Sequence, residues 1–214
     1  MAKFAATMQK SALQKDNHPS RAHAKVALRR DLLAAIGADE ARVFDAFAGS
    51  GGMHRAVWRE AADYTGCDLR RFTAGRRAFV ADNLRVLRAV DLAAFNLFDL
   101  DAYGSPWKAA TIIAARRSLA PGELLGLVLT DGSPMRARLG AIDAGLSGMA
   151  AVDPKLTGMS LRWRELTGRA LEEMARRMGG EVVEFHAADT GSRPILYSTA
   201  LIVGLTGGRS DSAA

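Results

Sequence analysis

The stretch from Val43 to Gly52, which reads VFDAFAGSGG, constrains the fold of this chain more than any other segment. It predicts a short buried strand that ends at an acid, a glycine turn, and a helix that begins near Met53. Glycines let backbone N–H groups approach a ligand closely, so this order of elements is typical of a loop that binds a nucleotide.

The position of Asp45 indicates which kind of nucleotide the loop would accept. A dinucleotide site has the pattern G-x-G-x-x-G, in which the start of the helix receives a pyrophosphate. Gly49 and Gly51 fit this pattern, but its sixth position is His54. An acid at the end of the strand would repel a pyrophosphate and would suit a ligand with a cationic end and no phosphate. S-adenosylmethionine has this character, because it carries an ammonium and a sulfonium.

Acids also end three further predicted strands. Asp68 ends the second strand and lies 23 residues after Asp45, close to the spacing at which such folds place the carboxylate that binds ribose hydroxyls. Asp82 and Asn83 follow the third strand, and Asp101 ends the fourth. Ligands bind at the carboxyl edge of open α/β sheets, so the sequence predicts that these side chains surround one site.

The alternation of strands and helices predicts an α/β fold with a mostly parallel sheet and helices on both faces. The expected strands lie at 42–47, 64–68, 78–82, 95–101, 124–130, 181–187 and 195–204, and the expected helices at 21–36, 52–62, 83–91, 105–119 and 161–178. The connection at 188–194 has no room for a helix, and a parallel pair needs a crossover of about a dozen residues. The last two strands are therefore predicted to be antiparallel, whereas residues 69–77 form a single turn or a loop.

Four regions follow from this assignment. Residues 1–40 form a polar, basic segment and a helix that packs on the core, and residues 41–205 form the sheet domain. Residues 133–160 are rich in Gly, Met and Arg; they are expected to be a substrate-facing insertion, with a simple connector as the alternative. Residues 206–214 are expected to be a disordered tail.

The first helix has one apolar side. Its apolar positions are Val26, Leu28, Leu32, Leu33 and Ile36. Arg29 and Arg30 are expected to lie largely outside this face.

Over residues 40–205 the chain resembles the class I S-adenosylmethionine-dependent methyltransferases. The loop 45–51 is similar to their first motif, Asp68 to their second, and Asp82 with Asn83 to their third. The resemblance implies their seven-stranded Rossmann-like sheet, mostly parallel with a terminal antiparallel strand.

The fourth motif carries the resemblance to a particular group within this class. The segment 101–106, Asp-Ala-Tyr-Gly-Ser-Pro, resembles the Asp-Pro-Phe-Gly-Ser-Pro turn of the tRNA guanosine N2-dimethyltransferases. It departs from that turn at Ala102, where the family has proline, and at Tyr103, where it has phenylalanine. The resemblance implies transfer of a methyl group to an exocyclic base amine, with guanine N2 in RNA as the first expectation.

The resemblance implies S-adenosylmethionine as the cofactor. The residues expected to contact it are Asp45, Ala48, Gly49, Gly51, Asp68, Asp82, Asn83 and Asp101. The glycine loop would hold the methionine part, Asp68 the ribose hydroxyls, and Asp82 the adenine amino group. Asn83 would assist Asp82, with helix capping as its alternative role.

Asp101 and Tyr103 are the expected catalytic residues. An exocyclic amine is a poor nucleophile, because its lone pair is delocalised into the ring. Methylation therefore needs in-line placement and a hydrogen-bond acceptor that draws electron density onto nitrogen as the proton leaves. Asp101 and the backbone carbonyl of Ala102 fit this role, and Tyr103 would stack on an extruded base. The alternative for Asp101 is a cap on the next helix.

The charge balance favours a polyanionic substrate. Lys and Arg number 29 against 23 Asp and Glu, which gives a net charge of +6 and a pI near 9.9. Ordinary solubility charge is the alternative reading. The expected substrate contacts are Arg21, Lys25, Tyr103, Trp107 and Arg136, and Lys15, Arg29, Arg30 and Arg138 are further basic candidates. Within the fold, a DNA amine methyltransferase and a small-molecule or protein methyltransferase remain alternatives.

Other chemistries are not expected. Asp99 and Asp101 have the Asp-x-Asp spacing of some metal sites, but no histidine cluster or third acid accompanies them, so no metal is predicted. Asp131 is expected either to line the pocket or to form a turn with Gly132. Cys67 is the single cysteine and reads as a core residue; it excludes an intrachain disulfide and favours a reducing, cytoplasmic location without a disulfide-linked partner. No apolar run is long enough to span a membrane, and no secretory signal is expected.

Overall fold

The computed structural model describes residues 19–72, 75–134, 142–155, 162–189 and 195–206. The strands are β1 (Arg42–Asp45), β2 (Asp63–Asp68), β3 (Ala78–Val80), β4 (Leu97–Asp101), β5 (Leu124–Asp131), β6 (Gly180–Asp189) and β7 (Leu196–Gly204). The helices in these residues are α1 (Pro19–Ile36), α2 (Gly52–Ala56), α3 (Asn83–Ala89), α4 (Trp107–Arg116), α5 (Ala144–Ala150) and α6 (Trp163–Arg177).

The strands form one seven-stranded sheet in the order β3-β2-β1-β4-β5-β7-β6. Strands β1 to β5 pair in parallel, and β7 lies antiparallel between β5 and β6. The predicted mixed sheet, with its antiparallel strand at the end of the chain, is confirmed.

The order of strands places a crevice beside β1. From β1 the chain moves outward through β2 and β3, and it then returns to the other side of β1 as β4. Ligands of open α/β sheets bind at such a switch point, outside the carboxyl ends of the strands. Those ends carry Asp45 of β1 and Asp101 of β4.

One face of the sheet carries the larger hydrophobic core. Side chains of α3, α4, α5 and α6 pack there against the inner residues of β1 and β4, including Phe44 and Phe98. These two rings and Phe95 have centroids 5.2 to 6.4 Å apart at tilted or edge-on angles.

Helix α1 covers the opposite face. Leu32, Leu33 and Ile36 pack there in a second core that also contains Trp58. Gly126 of β5 permits the close approach, because a Cβ at this position would lie 2.8 Å from Cδ1 of Ile36 and 3.0 Å from Cδ2 of Leu32.

Two elements differ from the expected pattern. Helix α2 ends at Ala56 and is followed by a short 3-10 turn at Trp58–Glu60, whereas the sequence predicts a helix over 52–62. The chain bends here, and Trp58 becomes fully buried with its indole N–H bonded to Asp99. Within 133–160, the described residues contain α5, which the sequence analysis did not predict.

Candidate active site

The turn between β1 and α2 requires glycine at two positions. Gly49 and Gly51 have φ angles of 47° and 83°, in the left-handed region that favours glycine. A Cβ at Gly51 would also meet the guanidinium of Arg76, which is the movable end of a long side chain, whereas a Cβ at Gly52 would meet nothing within 4 Å. The backbone conformation therefore favours glycine at position 51.

Hydrogen bonds join this glycine turn to the ends of the neighbouring strands. The backbone N–H of Gly49 donates to Asp68 Oδ2 over 2.8 Å, and Asn83 Nδ2 donates to the carbonyl of Ala46 over 3.0 Å. The N–H of Ala48 donates to the carbonyl of Cys67 over 3.0 Å. The structure thus brings the first, second and third predicted motifs together at one edge of the sheet.

Asp82, and not Asn83, caps the helix that follows the third strand. It is the N-cap of α3 and accepts a hydrogen bond from the N–H of Arg85 over 2.9 Å. Asn83 is the first residue of that helix and bonds the glycine turn instead. Asp82 is exposed beside this turn, so its carboxylate is accessible to a ligand.

Asp45 lies beneath the site and not on its surface. It is 2% exposed, accepts hydrogen bonds from the Tyr64 hydroxyl over 2.9 Å and from the N–H of Phe47 over 3.1 Å, and pairs in register with Asp99. Burial and the negative charge of Asp99 raise the pKa of Asp45 from 3.8 to about 8. Its influence on a ligand is therefore electrostatic, and it depends on whether Asp45 is protonated.

Arg29 is a buried residue, which corrects the expectation that it lies outside the apolar face of α1 and contacts substrate. It is 1% exposed, and its Nε and Nη2 donate to the two carboxyl oxygens of Asp99 over 2.7 Å each. Trp58 Nε1 donates to Asp99 Oδ2 over 2.8 Å. Asp99 is thus a fully bonded structural residue, and it ties α1 to β4.

Asp101 ends β4 beside the same helix. Lys25 Nζ lies 2.7 Å from Asp101 Oδ1, and Arg29 Nη2 lies 3.8 Å from Oδ2. Burial opposes ionisation, but the charges of Arg29 and Lys25 outweigh it and hold the pKa of Asp101 below its usual value. The carboxylate is therefore ionised at neutral pH. This arrangement also corrects the expectation that Lys25 is free to contact substrate.

Tyr103 and Trp107, both expected to contact substrate, have opposite environments. Tyr103 is 85% exposed on the turn after β4, and this turn is held by a hydrogen bond of 2.7 Å from the N–H of Gly132 to the carbonyl of Gly104. Trp107 is fully buried, and its indole N–H donates to Asp131 over 2.7 Å. The expectation for Trp107 is therefore wrong, because a core side chain presents no surface to a substrate.

Asp131 is buried at the end of β5, where its carboxyl group accepts several hydrogen bonds. Its Oδ2 also accepts from Trp163 Nε1 over 3.0 Å, and its Oδ1 accepts from the N–H and the hydroxyl of Ser133. Burial raises the pKa of Asp131 even though these donors oppose the rise. Of the two readings of Asp131, the structure supports a turn-forming residue, here with Ser133.

Arg76 is a site residue that sequence reasoning missed. Its guanidinium lies against the glycine turn and donates to the carbonyl of Gly49. The segment 69–77 contains Arg70, Arg71, Arg76 and Arg77, but nothing in the sequence distinguishes Arg76 from the others.

Some expected residues lie outside what the structure describes. Arg136, Arg138 and Lys15 are outside the described residues, as are 207–214 of the predicted tail, and the side chain of Arg21 is not described. Cys67 is buried, and burial raises the pKa of its thiol to about 11, which disfavours a nucleophilic role.

Among the described residues, no group of three His, Cys, Asp or Glu side chains has the arrangement of a metal site. No helix that the structure describes is long and apolar enough to cross a membrane.

A groove of about 670 Å³ lies at the amino edge of the sheet, among residues such as Arg42, Asp63 and Leu124, and thus opposite the glycine turn.

Comparison with solved structures identifies the fold. No protein-family model matches this sequence, and no curated protein matches it. Solved structures do match: the chain has the Rossmann-like fold of S-adenosylmethionine-dependent methyltransferases.

Two of these structures show how far the likeness extends. Trm1 from Pyrococcus horikoshii, solved with S-adenosyl-L-methionine, superposes with a TM-score of 0.56 at 18% identity, over 88% of this chain and 56% of that chain. The N-methyltransferase NodS from Bradyrhizobium japonicum WM9, solved with S-adenosyl-L-homocysteine, gives 0.51 at 15% identity, over 88% and 89%. The chain thus spans little more than half the length of Trm1.

Proposed function

We propose that this protein is an S-adenosylmethionine-dependent methyltransferase that modifies an exocyclic base amine of nucleic acid, with guanine N2 in RNA as the substrate group. The observation that carries the proposal is the set of hydrogen bonds joining the glycine turn to Asp68 and Asn83, beside the ionised Asp101. Open α/β sheets bind nucleotides at this edge.

The residues at this edge fit the cofactor. Asp68 offers carboxylate oxygens to ribose hydroxyls, and the exposed Asp82 offers an acceptor to the adenine amino group. The left-handed Gly49 and Gly51 let the backbone approach the methionine part closely. S-adenosylmethionine, when bound, supplies an electrophilic methyl group on a sulfonium.

The acceptor side of the site rests on Asp101 and Tyr103. The Asp101 carboxylate can accept a hydrogen bond from a base amine and draw electron density onto its nitrogen as the proton leaves. Tyr103 is exposed next to it and can stack on a base taken out of its helix. The buried Trp107 has no part in this proposal.

A nucleic-acid partner is supported by charge and by the fourth motif. The net charge is +6, and Arg70 and Arg71 are exposed two and three residues after Asp68. RNA is preferred over DNA because segment 101–106 resembles the turn of the tRNA-modifying enzymes. We also propose a cytoplasmic location, supported by the single buried cysteine.

The test is a methyl-transfer assay with methyl-labelled S-adenosylmethionine and separate samples of total RNA, genomic DNA and protein extract. Labelled RNA is digested to nucleosides, and the products are identified. We expect N2-methylguanosine from the wild type and a rate about 10²- to 10⁴-fold lower in Asp101→Asn. Asp39→Asn, an exposed acid at the opposite edge of the sheet, is the matched control and should retain full activity.

The other outcomes would separate the parts of the proposal. Label in DNA alone, or in protein alone, would contradict the RNA assignment and leave methyl transfer intact. Equal rates for Asp101→Asn and Asp39→Asn would contradict the role of Asp101. No label in any sample would contradict the proposed activity.

A further inference from the structure

We propose that Lys25 of α1 is a positioning residue that fixes the Asp101 carboxylate for the acceptor amine. The inference rests on the proposed function, because it assigns a role to Asp101 in catalysis. It replaces the expectation that Lys25 contacts the substrate.

The contacts of Lys25 fix its ammonium group in one place. Nζ lies 2.7 Å from Asp101 Oδ1 of β4 and 5.2 Å from the centroid of the Tyr197 ring of β7. The side chains of Lys25 and Asp101 are only 17% and 21% exposed. A short ion pair that is shielded from water and held over an aromatic face is far less mobile than a surface pair.

Arg29 supports Lys25 but does not replace it. Arg29 Nη1 donates to the backbone carbonyl of Lys25 over 3.1 Å, one turn earlier in α1. Its Nε and Nη2 are bonded to Asp99, and Nη2 is 3.8 Å from Asp101, which is beyond hydrogen-bond distance. Lys25 is therefore the described cation that donates directly to Asp101.

The charges around Asp101 explain what the ion pair achieves. Arg29 and Lys25 approach it from α1, whereas Asp99 of β4 adds negative charge on the same face of the sheet, and Asp45 of β1 adds to it only when its own proton leaves. Burial by itself would favour the protonated form of Asp101, and the two cations hold its pKa down. Without Lys25, the balance shifts toward a protonated carboxyl, which is a weaker hydrogen-bond acceptor for an amine than the carboxylate and cannot take up its proton.

The test uses Lys25→Met, which keeps most of the unbranched side chain but not its charge, and Lys25→Arg, which keeps the charge. Lys108→Met removes the same charge from an exposed position on α4 and serves as the control. Lys25→Met should lower kcat more than it changes KM for RNA. It should also move the acid limb of the pH–rate profile upward by about one to three pH units, with recovery in Lys25→Arg.

A second measurement does not depend on activity. The carboxyl carbon of Asp101, assigned by its loss in Asp101→Asn, is titrated by ¹³C NMR in the wild type and in Lys25→Met. We expect Asp101 to titrate at higher pH in the variant. Lys25→Gln repeats both measurements if Lys25→Met fails to fold.

The outcomes distinguish the two proposals. If Asp101 titrates at the same pH with and without Lys25, or if Lys25→Met only raises KM for RNA, the positioning role is wrong. If the wild type transfers no methyl group to any acceptor while the NMR shift is observed, the proposed function fails and the control of Asp101 by Lys25 stands.

Discussion

At the scale of single residues, Asp45 shows how burial changes the charge state of an acid in a sequence motif. The sequence places it at the end of β1, where a carboxylate would attract a cationic ligand. The structure buries it against Asp99, and its pKa rises to about 8. At neutral pH the side chain is mostly protonated, so its charge is available to a ligand only when its proton leaves.

The stability of the protein should depend on this proton. The folded-state pKa of about 8 is above the value of 3.8 for an ordinary aspartate, so between these values the folded state holds a proton that the unfolded chain releases. The contribution of Asp45 to stability is therefore lost as the pH rises through this window, and the loss levels off above pH 8. Asp45→Asn should remove this dependence and be more stable than the wild type at alkaline pH, by at least about 1 kcal/mol.

Urea unfolding at pH values from 5 to 9 measures this difference. Asp39→Asn, which changes an exposed acid, should follow the wild-type curve. If the curves for Asp45→Asn and the wild type are parallel, the proton on Asp45 is absent.

Substitutions at the aromatic residues Tyr103 and Trp107 should have opposite effects on stability and on activity. Trp107→Phe removes a buried donor to Asp131 and should lower the free energy of unfolding by about 1–3 kcal/mol without changing KM for the acceptor. Tyr103→Ala removes an exposed ring and should leave the melting temperature unchanged. It should lower kcat/KM for RNA about 10- to 100-fold, as expected for a lost stacking contact of about 1–3 kcal/mol. Thermal melts and steady-state kinetics on both variants would refute the assignment if the two effects were exchanged.

At the scale of elements, the contact between α1 and β4 rests on a buried ion pair. Removal of one partner leaves an uncompensated charge, so Arg29→Met should lower the free energy of unfolding by about 3–5 kcal/mol. The double variant Arg29→Met with Asp99→Asn should lose less than the sum of the two single losses. Arg30→Met, the exposed neighbour on the same helix, should change stability by no more than about 0.5 kcal/mol.

Denaturant unfolding of the wild type, Arg29→Met, Asp99→Asn and the double variant completes a double-mutant cycle. A coupling energy near zero between Arg29 and Asp99 would contradict the ion pair as the link between helix and sheet.

The sequence predicts elements well where the pattern is local. The alternation of strand and helix predicted a mostly parallel sheet, and the connection at 188–194 predicted the antiparallel pair. The end of α2 was predicted too late, because it depends on Trp58 reaching Asp99, which is 41 residues away in the chain. Helical periodicity alone carries no information on such a contact.

The same limit applies to the site. The glycine turn and the strand-end acids were visible as motifs, because each lies within a few residues. The partners of Arg29 and Lys25 lie 70 and 76 residues further along the chain, so a charged side chain on α1 read as a surface group. Trp107 was misread for a related reason: it follows the fourth motif directly, but the first turn of α4 directs it into the core.

At the scale of the whole molecule, the fold concentrates strand-end acids and a glycine turn at one edge of the sheet, in a chain of net charge +6. Helix α1 precedes all seven strands in the sequence, and its Lys25 and Arg29 contact acids of β4 near this edge. If the proposed function is correct, the helix that precedes the sheet is part of the active site.

The central claim is that the glycine turn binds the methyl donor, and calorimetric titration with S-adenosylhomocysteine tests it most directly. The wild type and Gly52→Ala should bind one equivalent with similar affinity, because a Cβ at Gly52 meets nothing within 4 Å. Gly51→Ala should bind at least about 10-fold more weakly, because a side chain at a φ of 83° strains the turn and would displace the Arg76 guanidinium from it. Absence of binding by the wild type, or equal binding by Gly51→Ala, would contradict the account.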